Sequence, residues 1–244
     1  MVVTGASSGI GKGIAERLDE QNTKVIAVAR SKDKLENLKI SNLIPIVADL
    51  TNIANIDAVT KDILSENPEF LINAAGTSVA VGDRDTFLKL DYKDLRYVHS
   101  LNFEAAFYLS QQICQHWENK GIPGRVVNVS SSITQSTLPK HIAYTTSKYA
   151  LDGLTKTTAL ESGPYGIRVN SVHPTVTLTE MAYKVWFEED RVTPTPEGKE
   201  LLKRIPLRRF IEVDEVVDLV FFLLSDSAAA IQGQLISIDG GLTC

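Results

Sequence analysis

The sequence has few cysteines, no long apolar run and an excess of negative charge. Its 244 residues include two cysteines, Cys114 and Cys244, which are too few for a disulfide framework. We expect a cytoplasmic protein with two free thiols; whether Cys244 pairs with a neighbouring subunit is left open. No apolar run reaches the ~18 residues that a membrane span needs, and no basic-then-apolar leader is present. The net charge of -5 argues against nucleic-acid and anionic-membrane partners.

The apolar residues that are present, 43% of the chain, occur in short runs that alternate with helical stretches. This alternation is typical of a parallel sheet with helices on both faces. The candidate strands are residues 2–4, 25–29, 44–47, 70–73, 125–129, 168–173 and 234–238. They predict an α/β fold in a single domain, residues 1–244: a seven-stranded, doubly wound parallel sheet of the Rossmann type. Such a sheet has one crevice, where the strand order reverses.

A glycine-rich segment follows the first predicted strand and opens a helix. It reads Thr-Gly-Ala-Ser-Ser-Gly-Ile-Gly from Thr4 to Gly11. Its three glycines permit a tight turn, a close approach of backbone N–H groups to a pyrophosphate, and close packing of helix on strand. Glycine-rich turns also close units that bind nothing, but a strand before and a helix after favour a nucleotide. The predicted contacts are Gly5, Ser7, Ser8, Gly9, Ile10 and Gly11.

The end of the second predicted strand bears on which nucleotide binds. An acidic residue there would bind the adenosine 2′-hydroxyl of NAD, whereas a nearby arginine accommodates the 2′-phosphate of NADP. The strand ends Val28-Ala29-Arg30, without an acid, and a guanidinium makes two-pronged contacts with phosphate. We therefore predict NADP(H). The alternative interpretation is that Arg30 is a surface residue at the head of a charged helix.

The segment from Ser130 to Lys148 carries the candidate chemistry. Tyr144 and Lys148 are four residues apart, which on a helix places their side chains roughly 5–6 Å apart. An ammonium so close favours the phenolate, so we expect a lowered pKa for Tyr144 and acid–base activity near neutral pH. Ser131, at the end of a predicted strand, is positioned to meet the tyrosine over one substrate oxygen. Ser130 and Ser132 are the competing hydroxyls.

A Tyr-x-x-x-Lys pair alone is a common accident on solvated helices. Combined with the serine-bearing strand and the glycine-rich loop, it resembles the short-chain dehydrogenase/reductase family over essentially the whole chain. The resemblance implies a catalytic set of Asn102, Ser131, Tyr144 and Lys148, and no metal. In it Tyr144 protonates the developing alkoxide, Ser131 donates a hydrogen bond to that oxygen, Lys148 lowers the pKa of Tyr144 and binds the nicotinamide ribose, and Asn102 holds a relay water. A helix-capping or kink-satisfying Asn102 is compatible with that role.

The resemblance also implies further contacts to the nucleotide. Ala74 stands where the family usually has a second asparagine, and Thr175 where it usually has glycine. The first strand starts at Val2, earlier than is usual, so either a short segment precedes it or the strand is short. The implied contacts are Asp49, Leu50, Asn73, Ala74, Gly76, Pro174, Val176 and Thr179, together with Tyr144 and Lys148.

Several other features resemble the dicarbonyl and L-xylulose reductases, a carbonyl-reductase branch that uses NADPH: Pro174-Thr175-Val176, His141, Trp186 and the terminal Cys244. The branch implies a small dicarbonyl or ketose substrate held by Ser131, His141, Tyr144 and Trp186, with His141 alternatively a satisfied loop histidine. It also implies a homotetramer.

Residues 180–206 are expected to form a lid, whose aromatic residues alternatively pack in the core, and residues 82–85 a polar tip at the crevice mouth. The competing functions are a reductase for another carbonyl, such as a steroid or a ketoacyl thioester, and a non-catalytic NADPH-binding module.

Overall fold

The computed structural model describes residues 1–78 and 86–244. Within them, seven parallel strands form one sheet. The strands are β1 (Val2–Thr4), β2 (Val25–Ala29), β3 (Leu43–Val47), β4 (Phe70–Asn73), β5 (Arg125–Val129), β6 (Arg168–Pro174) and β7 (Leu235–Ile238). Their order is β3-β2-β1-β4-β5-β6-β7. The predicted fold class is confirmed, and each predicted strand is present with its ends shifted by one residue at most.

Helices cover both faces of this sheet. They are α1 (Gly9–Glu20), α2 (Lys32–Glu36), α3 (Ile53–Ser65), α4 (Tyr92–His99), α5 (Ala105–Lys120), α6 (Ile142–Ser162), α7 (Glu180–Trp186), α8 (Pro196–Arg204) and α9 (Val213–Leu224). A π-helical turn, Ser100–Glu104, joins α4 to α5, and a 3₁₀ turn, Ser132–Thr134, follows β5. No helix of the described ranges is long and apolar enough to cross a membrane.

Two apolar cores, one on each face, follow from the alternation of side chains along the strands. Val3 points into the core that holds α1 and α9, while its neighbour Val2 points into the core that holds α3 and α5. Strand β2 is buried along its whole length, as expected for a strand covered on both faces. The sheet is thus a rigid platform, and its carboxyl edge is free to carry loops.

The strand order reverses beside β1. From β1 the chain moves outward through β2 to β3, then returns to β4 on the other side of β1. The loops that follow β1 and β4 therefore diverge and leave a crevice at the carboxyl edge. The predicted polar tip at 82–85 lies outside the described residues.

Candidate active site

The crevice at the carboxyl edge encloses a cavity of about 430 Å³. Most of the predicted site residues line it: Gly5, Ser7, Ser8, Gly9, Ile10, Gly11, Arg30, Leu50, Ala74, Gly76, Ser131, His141, Tyr144, Lys148, Pro174, Val176, Thr179 and Trp186. Three predicted residues, Asp49, Asn73 and Asn102, are not among the lining residues. The sheet topology thus gathers segments from across the sequence around one space.

The glycine-rich loop forms the cradle at one end of this cavity. Gly5 has φ +69, and a Cβ on it would lie 2.8 Å from Ala75 Cα and 2.9 Å from Ala74 O. Only glycine allows the loops after β1 and β4 to approach this closely. Ser8 precedes α1 in an extended conformation and makes no side-chain cap, so the first N–H groups of α1 remain free for a ligand. A pyrophosphate fits this cradle, since helix N-termini attract anions.

The part of the cavity beside the end of β2 carries two cations. Arg30 lines it and donates a hydrogen bond from Nη1 to the Tyr97 hydroxyl at 2.9 Å. Lys34, on α2, also lines it. Leu50 lies in the wall as predicted, but the carboxylate of Asp49 does not reach the cavity. It accepts hydrogen bonds from the Thr51 N–H and hydroxyl at 3.0 and 2.9 Å, because the acid sits where the turn after β3 needs a cap.

Asn73 also lies outside the cavity wall, and its contact with the nucleotide stays a prediction. Its side chain is buried and donates to Ser110 Oγ at 3.1 Å and Asn128 Oδ1 at 2.8 Å. These bonds tie β4 to β5 and α5, so Asn73 braces the sheet and does not face the cavity. The turn that begins at Ala74 is held instead by Thr4, whose hydroxyl accepts from the N–H groups of Ala74 and Ala75. This explains why alanine is tolerated at position 74.

Asn102 lies in the π-helical turn, a wide turn that is frequent at functional sites. Its Oδ1 accepts from the Thr77 N–H at 2.8 Å, and its Nδ2 donates to the Thr77 carbonyl at 2.9 Å and to Ser147 Oγ at 2.9 Å. Asn102 therefore clamps the loop after β4 onto α6. These partners come from distant parts of the chain, and the relay water stays a prediction.

Ser131 and Tyr144 meet in the middle of the cavity. Ser131 follows the end of β5 in an extended conformation and caps the following 3₁₀ turn, and it lines the same cavity as Tyr144, close enough for its hydroxyl to lower the pKa of the phenol. Ser130 points elsewhere, with Oγ 2.7 Å from Asp152 Oδ1. Between these two hydroxyls, the structure favours Ser131 as the predicted partner of the tyrosine.

Lys148 lies one helical turn after Tyr144 on α6. Its Nζ is 5.6 Å from the centre of the Tyr144 ring and donates to the Val129 carbonyl at 2.8 Å. The side chain is almost completely buried. The predicted pair is therefore brought together, with the ammonium anchored to the end of β5.

The protonation of this pair differs from the expectation of an acidic phenol. Desolvation raises the pKa of Tyr144, and the hydrogen bond from Ser131 opposes that rise. Burial also lowers the pKa of Lys148 to about 8, with the Asp152 carboxylate opposing that fall. Removal from water acts against every charged form here, so Tyr144 is a neutral phenol before any reaction. A helical spacing alone does not reveal this desolvation.

The other end of the cavity is lined mainly by side chains. The rings of His141 and Trp186 lie 6.3 Å apart, and Leu138 and Leu201 complete this wall. Trp186 also packs on the small cluster that contains Leu201 and Phe210. Trp186 therefore both lines the cavity and packs on this cluster, while the lid of residues 180–206 stays a prediction.

The sequence analysis assigned no role to four residues that hold the site in place: Thr4, Thr77, Asp152 and His173. Thr4 lay within the glycine-rich motif, so its position was a usable signal. Asp152 lies one turn beyond Lys148, on the same face of α6, and this spacing could have identified it. Thr77 and His173 carry no such signal, because they reach their partners only through the sheet topology.

The chain is similar to known proteins over nearly its whole length. A family model described as enoyl-(acyl carrier protein) reductase matches residues 5–243. D-erythrulose reductase of Gallus gallus is 36% identical, over 98% of this chain and 94% of that protein. L-xylulose reductase of Bos taurus is also 36% identical, over 98% and 94%. Among solved structures, 4-hydroxyisoleucine dehydrogenase complexed with NADH and succinate is 31% identical with a TM-score of 0.88, over 99% of this chain and 98% of that chain.

Proposed function

Because the chain belongs to the short-chain dehydrogenase/reductase family and is an oxidoreductase, we propose that it reduces a carbonyl group with NADPH. The substrate is a small dicarbonyl or a ketose such as L-xylulose, and the reverse reaction oxidises an alcohol or polyol. One observation carries this proposal: Ser131 and Tyr144 line the same cavity, with Lys148 buried one helical turn after Tyr144.

The roles of these residues follow from their protonation. Bound in the crevice, the nicotinamide supplies the hydride. Tyr144, protonated because its surroundings are dry, gives its proton to the carbonyl oxygen as negative charge develops there. Ser131 donates a hydrogen bond to the same oxygen. The Lys148 ammonium stabilises the phenolate left on Tyr144, so its charge is needed after proton transfer and not before it.

The preference for NADPH rests on the adenosine end of the crevice. Strand β2 ends without an acid that would repel a 2′-phosphate, and the guanidinium of Arg30 and the ammonium of Lys34 lie in the wall. Such a phosphate would meet two cations there. The cradle of Gly5 and the N-terminus of α1 would hold the pyrophosphate.

The preference for a small carbonyl rests on the names of the relatives and on the polar groups beside Tyr144. Ser131, Ser132 and His141 line this part of the cavity, and they suit a substrate with more than one oxygen. A second candidate is a larger apolar carbonyl, such as a steroid or a ketoacyl thioester. It is favoured by the apolar wall of Leu138, Trp186 and Leu201.

The proposal includes a lid and an assembly. Residues 180–206 would cover the substrate within the single domain of residues 1–244, since Met181 on α7 already meets Ser78 across the crevice, with Sδ and Oγ 3.4 Å apart. We propose a homotetramer, in which the half-exposed Phe222 on α9 would be covered by a second subunit. Light scattering after gel filtration measures the mass directly, and a monomeric mass would contradict the assembly.

The decisive experiment replaces Tyr144 with phenylalanine. Tyr144→Phe should lower kcat by at least about 10³-fold, because the proton donor is lost, while NADPH binding measured by fluorescence stays within a few-fold. Tyr149→Phe is the matched control, since Tyr149 lies on the same helix with its ring half-exposed, and it should behave as wild type. Diacetyl, L-xylulose, a ketosteroid and a ketoacyl thioester, each tested with NADPH and NADH, separate the candidates. A Tyr144→Phe enzyme with near wild-type turnover would refute the mechanism, and NADPH binding without turnover of any carbonyl would favour a non-catalytic module.

A further inference from the structure

Behind the proposed active site lies a second set of polar groups, which is buried. Asp152 follows Lys148 by one turn of α6, and His173 stands on β6 with no exposed surface. Asp152 Oδ1 is 2.7 Å from Ser130 Oγ and 3.0 Å from His173 Nε2, the latter contact without the alignment of a hydrogen bond. An ionised carboxylate this deep is costly unless it has partners, so its presence needs an explanation.

The set is connected to both catalytic side chains. Ser130, which holds the carboxylate, is the neighbour of Ser131 in the chain and approaches the Lys148 carbonyl at 3.5 Å. On the other side, His173 Nδ1 lies 3.3 Å from Thr134 Oγ1, and this hydroxyl contacts the Ser131 carbonyl at 3.2 Å. Asp152 is thus joined to Ser131 by two routes and to Lys148 through the turn of α6 that they share.

We propose that Asp152 is a positioning residue: its buried carboxylate keeps Lys148 protonated through turnover and, with Ser130 and His173, fixes the backbone that carries Ser131. This inference rests on the proposed function of the same site. It concerns a residue that touches neither the cavity nor a reacting atom, since Asp152 and His173 are absent from the cavity wall.

The electrostatic part of the proposal follows from the burial of the ammonium. Lys148 lies in surroundings that lower its pKa to about 8, and Asp152 is the group that opposes this fall. Among the described residues, the titratable groups that face the pair are Tyr144 on α6 and His173 on β6; the other polar neighbours, Asn102, Ser130, Ser131, Thr134 and Ser147, are neutral. Without the Asp152 charge, Lys148 would lose its proton at a lower pH.

The test replaces the carboxylate by an amide of the same shape. In Asp152→Asn, NMR of ¹³Cε-labelled lysine should show the Lys148 titration midpoint about one pH unit below the wild-type value, with the resonance assigned by its loss in Lys148→Met. The alkaline limb of the kcat profile should move to lower pH by the same amount, with KM for the carbonyl substrate nearly unchanged. Glu161→Gln is the matched control, because it makes the same chemical change at an exposed position of the same helix, and it should shift neither quantity.

Two further variants keep the inference falsifiable. Asp152→Glu retains the charge and should keep the midpoint near that of wild type. Asp152→Ser, smaller and neutral, replaces the amide variant should that one fail to fold, and should lower the midpoint in the same way. A midpoint that is unchanged in the neutral variants would overturn the inference. The midpoint is read without turnover, so an inactive wild-type enzyme with a shifted midpoint would refute only the proposed function.

Discussion

The two ends of the crevice are built in different ways. At the nucleotide end, the backbone makes the wall: Gly5 is pressed against Ala75, and Thr4 holds the turn of the neighbouring strand. At the substrate end, side chains on the short helices α7 and α8 make it, packed on a cluster of three buried residues and their partly buried neighbours. Backbone walls depend on a few glycines at fixed positions, whereas side-chain walls change with almost any substitution. The nucleotide end therefore favours a ligand that stays the same when side chains are substituted, whereas the substrate end allows the ligand to differ.

Lys148 stands where the two ends meet, and its replacement should have the largest effect. Lys148→Met should reduce kcat by at least about 10³-fold, since the phenolate of Tyr144 would lose its counter-charge. The same change should stabilise the cofactor-free protein at pH 7 by roughly 1–2 kcal/mol, or a few degrees in Tm, because a buried cation is removed. Its lost hydrogen bond to Val129 limits the gain. Differential scanning fluorimetry and steady-state kinetics measure the two effects.

The pH dependence of that gain has a defined sign. Burial lowers the pKa of Lys148 in the folded protein to about 8 from 10.5, so the unfolded chain binds more protons between these values. Wild-type stability owed to this group therefore rises with pH across the window from 8 to 10.5, and the advantage of Lys148→Met should shrink there. Lys156→Met, an exposed change on the same helix, should show no such trend. An advantage that grew with pH would contradict the assignment.

The nucleotide end should respond next most strongly, and to a single methyl group. In Gly5→Ala the new Cβ would meet Ala75 at 2.8 Å on a residue with φ +69, so the loop must move. We expect NADPH affinity to fall by about 100-fold and stability by roughly 1–3 kcal/mol. Isothermal titration calorimetry and urea unfolding measure these losses.

A second glycine supplies the control for that prediction. Gly153 lies in the middle of α6, and a Cβ there would meet nothing within 4 Å. Gly153→Ala should stabilise the protein by roughly 0.5–1 kcal/mol through helix propensity. Changes in stability of opposite sign for the two substitutions would support a wall made by backbone. Equal and small changes in stability would remove the contrast between the two ends.

The substrate end should show the smallest effect, confined to one ligand. Trp186→Ala removes the ring that faces His141 and packs on the α8 cluster, so KM for the carbonyl substrate should rise by about tenfold. The affinity for NADPH, measured separately by fluorescence, should stay within twofold. A comparable loss of nucleotide affinity would show that the two ends are not independent.

Sequence patterns predicted most of the fold and the site because local rules govern them. The strands follow from apolar runs, the cradle from glycine spacing, and Tyr144 and Lys148 from one turn of helix. Asp49 and Asn73 were assigned to the nucleotide, but the structure uses their side chains for a turn and for the sheet. Their motifs fix where the backbone lies, not where a side chain points. The pKa of Tyr144 was missed for a related reason, since desolvation is a property of the assembled crevice.

The π-helical turn at Ser100–Glu104 has a consequence for how this chain tolerates insertions and deletions. Such a turn contains one residue more than an α-helical turn. The extra residue sets how far α4 is rotated about the helix axis relative to α5. Deleting one residue there would restore an unbroken helix with all its backbone bonds made. It would also rotate α4 by about 100° relative to α5. The Asn102 amide would then lose its hydrogen bonds to Thr77. A shortened chain could then be better formed locally and still have a loosened crevice.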